Sequence, residues 1–299
     1  MTDLSALIES GVLQRNVPLG PLTTYKSGGP AAFFAEIEDQ TTLELLVESG
    51  VFRDREVLVL GRGSNVVVSD SGFAGLVVKL GVGFGKIEID ETIVTAGASV
   101  PLPRLARASV DSSLTGLEFF VGVPGSVGGA IRQNAGCFGV ETSDRLVTAR
   151  VLDLNEGEIR TSASADLGHS YRQSNLQPSD LVIDASFQAE RGDVSVARSE
   201  LRRITRWRRD NQPGGTLNAG SVFKNPPGTS AGELIDRLGL KGLRVGGVSV
   251  SEKHANFFVA ESTASSKDIY ELVQLVKDRV FDLSQTNLEP EIQFVGFEK

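Results

Sequence analysis

Gly122-Val-Pro-Gly-Ser-Val-Gly-Gly-Ala130, closed by Asn134-Ala-Gly136, holds too many glycines and too few bulky side chains to be packing material alone. Clustered glycine marks places where backbone must come close to something, because the missing Cβ removes the steric barrier. A second such loop, Gly61-Arg-Gly-Ser-Asn65, follows directly on the apolar, β-branched run Glu56-Val-Leu-Val-Leu60, which reads as a buried strand. Its backbone N–H groups, with the Ser64 hydroxyl and the Asn65 amide, suit a pyrophosphate. It lacks the third glycine at position 66 and the following helix of the dinucleotide fingerprint, so by itself it is equally a glycine turn between strands. Two loops together suit a long anionic cofactor, with two phosphates and an adenine to hold, better than a purely structural pair. The cradle candidates are Gly61, Gly63, Ser64 and Asn65 in one loop, and Gly122, Pro124, Gly125, Ser126, Gly129, Ala130, Asn134 and Gly136 in the other.

Outward from these loops the pattern is mixed. Thr41 with Glu44 forms a capping box ahead of Leu43, Leu45, Leu46 and Val47, and Gly50 stands where that helix stops. Residues 76–80, 86–90 and 92–96 read as strands, and Pro103 opens a helix to about Val110. Alternating apolar residues over 146–159 and 181–189 argue for further strands. From Val194 to Arg209 the pattern turns helical and basic until Asn211-Gln-Pro-Gly-Gly215 breaks it, and a domain boundary is expected near residue 192. Ser230 with Glu233 opens another helix. Ile269, Leu272, Val273, Val276, Val280 and Leu283 share one face of a helix over 266–283, and 292–295 is a last short strand. The fold class is α+β, without a repeat at periods of about 20 to 50 residues.

Composition sets the bounds. The 299 residues, 40% hydrophobic and 23% charged, suit a globular chain of about two or three compact units. Thirty basic against 38 acidic residues give a net charge of −8, so no global field draws the chain to nucleic acid or an anionic membrane, and an anionic ligand must be held locally. The opening Met1-Thr-Asp-Leu-Ser-Ala-Leu-Ile-Glu-Ser10 has acids and no long apolar run, so neither a secretory signal nor a membrane anchor is expected and the cytoplasm is the default. One cysteine, Cys137, excludes an internal disulfide, and no Cys/His cluster has metal-ligand spacing, so no metal is expected. His169 and His254 belong to no nucleophile elbow and read as structural.

Three further segments carry reactive side chains. Gly220-Ser-Val-Phe-Lys-Asn-Pro226 sets the Ser221 hydroxyl, the Lys224 cation and the Asn225 amide within one short turn, although a capping serine is the commoner meaning of such a pattern. Arg172, in Ser170-Tyr-Arg-Gln-Ser174, has the planar fork that pairs a carboxylate bidentately, against the plainer alternative of a surface ion pair. Glu291 stands beside Pro290 at the start of the last strand, where a carboxylate more often faces solvent than acts in catalysis.

Taken in order, Thr24-Tyr-Lys-Ser-Gly-Gly-Pro30, Gly61-Arg-Gly-Ser-Asn65, Gly122-Val-Pro-Gly-Ser-Val-Gly-Gly129, Asn134-Ala-Gly136, Tyr171-Arg-Gln-Ser174, Gly220-Ser-Val-Phe-Lys-Asn-Pro226, Leu240-Lys-Gly242 and Pro290-Glu291 resemble the UDP-N-acetylenolpyruvoylglucosamine reductase family along nearly the whole chain. The resemblance implies an FAD-binding domain of the vanillyl-alcohol-oxidase (PCMH) type in two α+β subdomains, residues 1–80 and 81–192, and then a substrate domain, residues 193–299. It implies FAD and NADPH as cofactors, a UDP-sugar enolpyruvyl ether as small-molecule substrate, no nucleic-acid or membrane partner, and a monomer. By position, Arg172 and Glu291 would stabilise charge developing toward the substrate carboxylate, Glu291 in protonated form because an ionised carboxylate would repel that charge. Ser221 would protonate the neighbouring carbon, and Tyr171, Lys224 and Asn225 would hold the sugar nucleotide.

Only about 50 residues separate Arg172 from Ser221, so the chain is similar to the shorter subgroup without an inserted tyrosine-bearing loop. Gln293 departs from the arginine that touches the flavin in many relatives and is left out of the cofactor set; Tyr25-Lys26 stands where Phe-Arg or Phe-Lys is common. Two other readings stay open on the residues. One is an FAD-dependent oxidase of the same fold superfamily acting on an alcohol or hydroxy acid, for which the Ser221 motif gives no support. The other is a nucleotide-binding module without chemistry, in which Arg172, Ser221 and Glu291 would be scattered instead of converging on one cavity.

Overall fold

The expected helices form, with one change of cap, and two more, Leu4–Glu9 and Val127–Gln133 within the second glycine loop, form where the sequence signals none. In the computed structural model, which describes residues 4–53 and 55–298, the helices α1 (Leu4–Glu9), α2 (Gln40–Ser49), α3 (Leu102–Asp111), α4 (Val127–Gln133) and α5 (Val194–Asn211) precede α6 (Ala231–Arg237) and α7 (Ser266–Ser284). The first three residues of the opening stretch lie outside the described residues. The N-terminus of α2 is capped by Asp39, whose carboxylate accepts from Thr42 N–H at 2.8 Å, and not by the Thr41–Glu44 box. A carboxylate is the stronger acceptor and also complements the positive end of the helix dipole. Gly50 ends α2 in the left-handed conformation, Ser230 caps α6, and Ser265 with Asp268 forms a capping box on α7. None of the described helices is long and apolar enough to cross a membrane.

The chain packs as two compact units, Met1–Arg15, Phe33–Gly61 and Gly75–Arg206 in the first and Asn16–Ala32, Arg62–Ala74 and Trp207–Lys299 in the second. This differs from a single cut near residue 192. The helix α5 stays with the first unit as far as Arg206 because Ile204 is buried in that unit's core, whereas Tyr25 and Val67 carry two amino-terminal segments into the core of the second.

The first unit has two cores. One gathers Leu7, Ile37, Leu43, Leu46, Phe52, Leu76 and Val78 with Leu181 and Ile183; the other gathers α3, α4 and Phe120 with Val182, Ala185 and Phe187. The strand Asp180–Gln188, inside a five-stranded antiparallel sheet, therefore buries both faces, and a register shift opposite Arg150 and Val151 marks a bulge within it. Phe120 meets Phe187 edge to face at 5.6 Å.

In the second unit α6 and α7 cover a three-stranded sheet of Arg244–Val245, Val248–Val250 and Phe258–Ala260. The buried face of α7 is the expected stripe up to Val280, but Leu283, in the last turn, is exposed. The final strand, Gln293–Val295, runs parallel to Val66–Val68. Asn256, 3% exposed, accepts from Phe223 N–H at 2.9 Å and donates to Phe223 O at 2.8 Å, replacing a strand neighbour with one side chain. Asn256→Ala leaves both buried backbone groups without partners and is expected to lower stability by about 2 to 4 kcal/mol. The measurement is a urea midpoint that falls at constant m-value; an unchanged midpoint would remove Asn256 from this role.

Candidate active site

In the second unit the sequence-nominated residues are gathered by hydrogen bonds along residues 289–293. Lys224 N–H donates to Glu289 O at 2.9 Å, Phe223 bridges Pro290, and Glu291 N–H donates to Val222 O at 2.8 Å. On the other side Gln293 N–H donates to Asn65 O at 2.9 Å, and the Asn65 amide donates to Glu291 O, also at 2.9 Å. The backbone flanking Ser221, the backbone of Glu291 and the Ser64-Asn65 loop thus form one array. Ser221 and Glu291 are half-buried. The Lys224 ammonium, 15% exposed, pairs with the Glu289 carboxylate at 2.6 Å, and Asn225 accepts from Ala231 N–H at the start of α6 at 3.0 Å.

These contacts change the meaning of two cradle candidates. Gly63 is buried at φ 61°, and a Cβ there would run into Leu22 O; the protein's own backbone already demands glycine at this position. Asn65 gives a side-chain hydrogen to Glu291 O and so positions the carboxyl-terminal segment, whatever else it does. Gln293 is exposed.

In the first unit Gly61 faces Ser126 of the second glycine loop. A Cβ on Gly61 would lie 2.9 Å from Ser126 Oγ. Val127 and Gly128 N–H are already committed to Val100 O and Ala98 O, both at 3.0 Å, and Gly125 O accepts from Leu102 N–H at 3.1 Å. Gly122 is a packing glycine, since its Cβ would meet Cys137 Sγ at 2.9 Å and Ile204 Cγ2 at 3.0 Å; a Cβ on Gly136 would strike Val140 O in the following hairpin. Ala130 is buried, whereas Gly129 and Pro124 are exposed. Around Gly129 a Cβ would meet only Ser126 Oγ, at 3.8 Å, so its open face admits a ligand.

Asn134, 1% exposed, ends α4 with φ 45° and donates to Glu141 Oε2 at 2.7 Å. Arg172 sits at φ 58°, donates to Gly136 O at 3.0 Å and pairs with Glu141 Oε1 at 3.3 Å. Its guanidinium carbon lies 4.9 Å from the centre of the exposed Tyr171 ring. Arg172 and Tyr171 thus belong to the first unit, and Ser221, Lys224, Asn225 and Glu291 to the second. His169 donates from Nε2 to Ile131 O at 2.9 Å, and burial pushes the His254 imidazole below the ordinary histidine range. Burial likewise pushes the Tyr25 phenol up, and its hydroxyl donates to Phe258 O at 3.2 Å.

Sequence reasoning missed Asn256, Glu289 and Glu141. The first was visible as a lone polar residue beside the apolar run Phe257-Phe-Val-Ala260, where a buried amide needs partners. The partners that matter to the two carboxylates, Arg172 for Glu141 and Lys224 for Glu289, are distant in sequence, so no local pattern announced them.

Residues 31–163 match the model of the FAD binding domain family, and residues 212–295 match that of UDP-N-acetylenolpyruvoylglucosamine reductase, C-terminal domain. The fold and the two matches define an FAD-binding oxidoreductase of α+β architecture whose carboxyl-terminal segment matches a second family model. The chain is 38% identical over 286 residues to the UDP-N-acetylenolpyruvoylglucosamine reductase of Azorhizobium caulinodans, covering 96% of this chain and 92% of the relative. It is 41% identical over 287 residues to that of Erythrobacter litoralis, covering 96% and 88%. The crystal structure of the reductase from Thermus caldophilus superposes with a TM-score of 0.83 at 33% identity, covering 95% of this chain and 99% of that one. The chain belongs to the UDP-N-acetylenolpyruvoylglucosamine reductase family, in its short form.

The loops fit the cofactor this family implies: Gly61 and Gly129 are exposed, and at Gly129 there is open space where Gly63 has protein. Gly129→Val should therefore leave the apoprotein within about 1 kcal/mol of wild type while weakening FAD retention by roughly tenfold or more. Gly63→Ala should instead lower the urea midpoint of the apoprotein itself. Absorbance at the flavin band per polypeptide, with urea titration of both variants, separates the two; full FAD retention in Gly129→Val would take that position out of the cradle.

Proposed function

We propose that Arg172, Ser221 and Glu291 carry the reductive step of this chain, the NADPH-driven reduction of UDP-N-acetylglucosamine enolpyruvate to UDP-N-acetylmuramate for peptidoglycan synthesis. The observation that supports it most is the array in which residues 289–293 tie Glu291 to the Ser221–Lys224 segment and to Asn65. Bound FAD would supply hydride transfer between NADPH and the vinyl methylene carbon of the substrate. Gly61, Ser126 and Gly129 would hold FAD, with Ser64, Pro124, Gly125 and Ala130 alongside, while Gly63, Asn65, Gly122, Asn134 and Gly136 shape the loops.

The chain's own work is electrostatic and protic. The Arg172 guanidinium opposes charge growing on the substrate carboxylate, and Glu291, acting in its protonated form, donates to the same charge. Ser221 holds the proton for the adjoining carbon; an aliphatic hydroxyl is a weak acid, but a carbanion-like centre is a strong enough base when the geometry is fixed. Bridging of Ser221 to Phe257, beside the Asn256–Phe223 pair, supplies that fixity. Lys224, Asn225 and Tyr171 would hold the sugar nucleotide, Lys224 as a cation already oriented by Glu289. We further infer a monomer acting in the cytoplasm on small molecules, without nucleic-acid or membrane partners, in keeping with the net charge of −8. The two cores of the first unit support two FAD-binding subdomains, but Phe84, Leu181 and Ile183 pack in the same core as Leu7 and Val78, so they give no support to a cut near residue 80.

Ser221→Ala separates the half-reactions, because the hydroxyl is needed only after NADPH has acted. Flavin bleaching by NADPH should stay near its normal rate, while reoxidation by the enolpyruvyl substrate slows by at least roughly 100- to 10,000-fold. Substrate affinity should change little, since the hydroxyl acts in the transition state. Stopped-flow absorbance reads both halves. Loss of both, or reoxidation at the wild-type rate, would remove Ser221 as proton donor.

A further inference from the structure

Asn134, Phe138 and Arg172, all in one region of the first unit, carry left-handed backbone at φ 45°, 53° and 58°. Residues with a Cβ adopt such angles only where their surroundings hold them, and clusters of them gather at functional sites. Two of the three meet at a single side chain. The Glu141 carboxylate accepts from Asn134 Nδ2 at 2.7 Å through Oε2 and from Arg172 Nη1 at 3.3 Å through Oε1. It also accepts from Asp144 N–H in a reciprocal capping box, where Glu141 N–H donates to Asp144 Oδ2 at 2.8 Å.

The same donors reach past Glu141 to the loop. Arg172 Nη2 donates to Gly136 O at 3.0 Å and Nη1 to Asn134 O at 3.4 Å. Asn134 Nδ2 also donates to Ser170 O at 3.1 Å, and its Oδ1 accepts from Ser143 N–H at 2.9 Å. One half-buried carboxylate thus ties together the cap of α4, the turn that bears Arg172 and the turn at residues 141–144. We propose that Glu141 is the positioning residue of Arg172, fixing the guanidinium at the closing end of the second glycine loop; this rests on the assignment of Arg172 to the reductive step. A glutamine of the same shape cannot replace it. Asn134 Nδ2 and Arg172 Nη1 both require an acceptor, and an amide offers one oxygen and sets its own NH2 against the other donor.

The test uses FAD-loaded wild type, Glu141→Gln, Arg172→Met and the double variant. Glu141→Gln should slow reoxidation at saturating enolpyruvyl substrate by about 10- to 100-fold, with NADPH bleaching, FAD content and the urea midpoint near wild type. A role in folding alone would move all four together. In the Arg172→Met background the same change should add little, because a residue acting through another has no further effect once that partner is gone. Calorimetry with UDP-N-acetylmuramate gives a readout apart from turnover: if Glu141 acts through Arg172, its loss changes product affinity in wild type but not in Arg172→Met. The inference is overturned if Glu141→Gln reoxidises normally, or slows Arg172→Met by the same factor as wild type, while Arg172→Met itself is slow. Arg172→Met reoxidising at the wild-type rate would instead overturn the assignment of Arg172, and this inference with it.

Discussion

The second unit depends on residues 289–293 being paired along both edges. Val222 and Lys224 bond to one side and Asn65 to the other, while Asn256 fastens Phe223 from beyond. Each such bond contributes only about 0.5 to 1.5 kcal/mol net, but an unmade one in a buried setting costs more than that. The arrangement therefore holds as a set. Glu291 obtains its place from backbone bonds on either side, to Val222 and to the Asn65 amide. Ser221 is bridged to Phe257 next to the same array. Preorganisation of this kind is what a weak acid such as a serine hydroxyl needs in order to act.

Glycine in this chain answers to two different demands. At Gly63 the demand is internal, because Leu22 O lies where a side chain would begin and φ is left-handed. At Gly129 a Cβ would meet only Ser126 Oγ, at 3.8 Å, an ordinary contact. The fold explains the first kind, and the second leaves room for a ligand. Gly61, facing Ser126 Oγ, joins the two loops and carries some of both.

Much of the architecture was legible in the residues. Apolar alternation found the strand at 181–189, the apolar stripe found α7, and Gly50 marked the end of α2. The misreadings have physical causes. A hydroxyl with a glutamate three residues on makes Thr41 a good cap pattern, but Asp39 offers a stronger acceptor just before it. A single boundary near residue 192 assumed that a domain is a continuous stretch, whereas Ile204, Tyr25 and Val67 are buried where long-range packing takes them. The family was legible as ordered motifs along nearly the whole chain. The supports of the candidate site residues were not: Glu141, Glu289 and Asn256 act on residues 31, 65 and 33 positions away, and no local pattern announces such a partner.

This chain passes reducing equivalents from NADPH to an enolpyruvyl double bond through FAD. The direct measurement is an anaerobic titration of the FAD-loaded protein followed at the flavin absorption band, with product analysis. NADPH in stoichiometric amount should bleach the band, and stoichiometric UDP-N-acetylglucosamine enolpyruvate, added under nitrogen, should restore it with formation of UDP-N-acetylmuramate. Colour that returned only on admitting oxygen, with peroxide formed and the sugar nucleotide unchanged, would contradict the account.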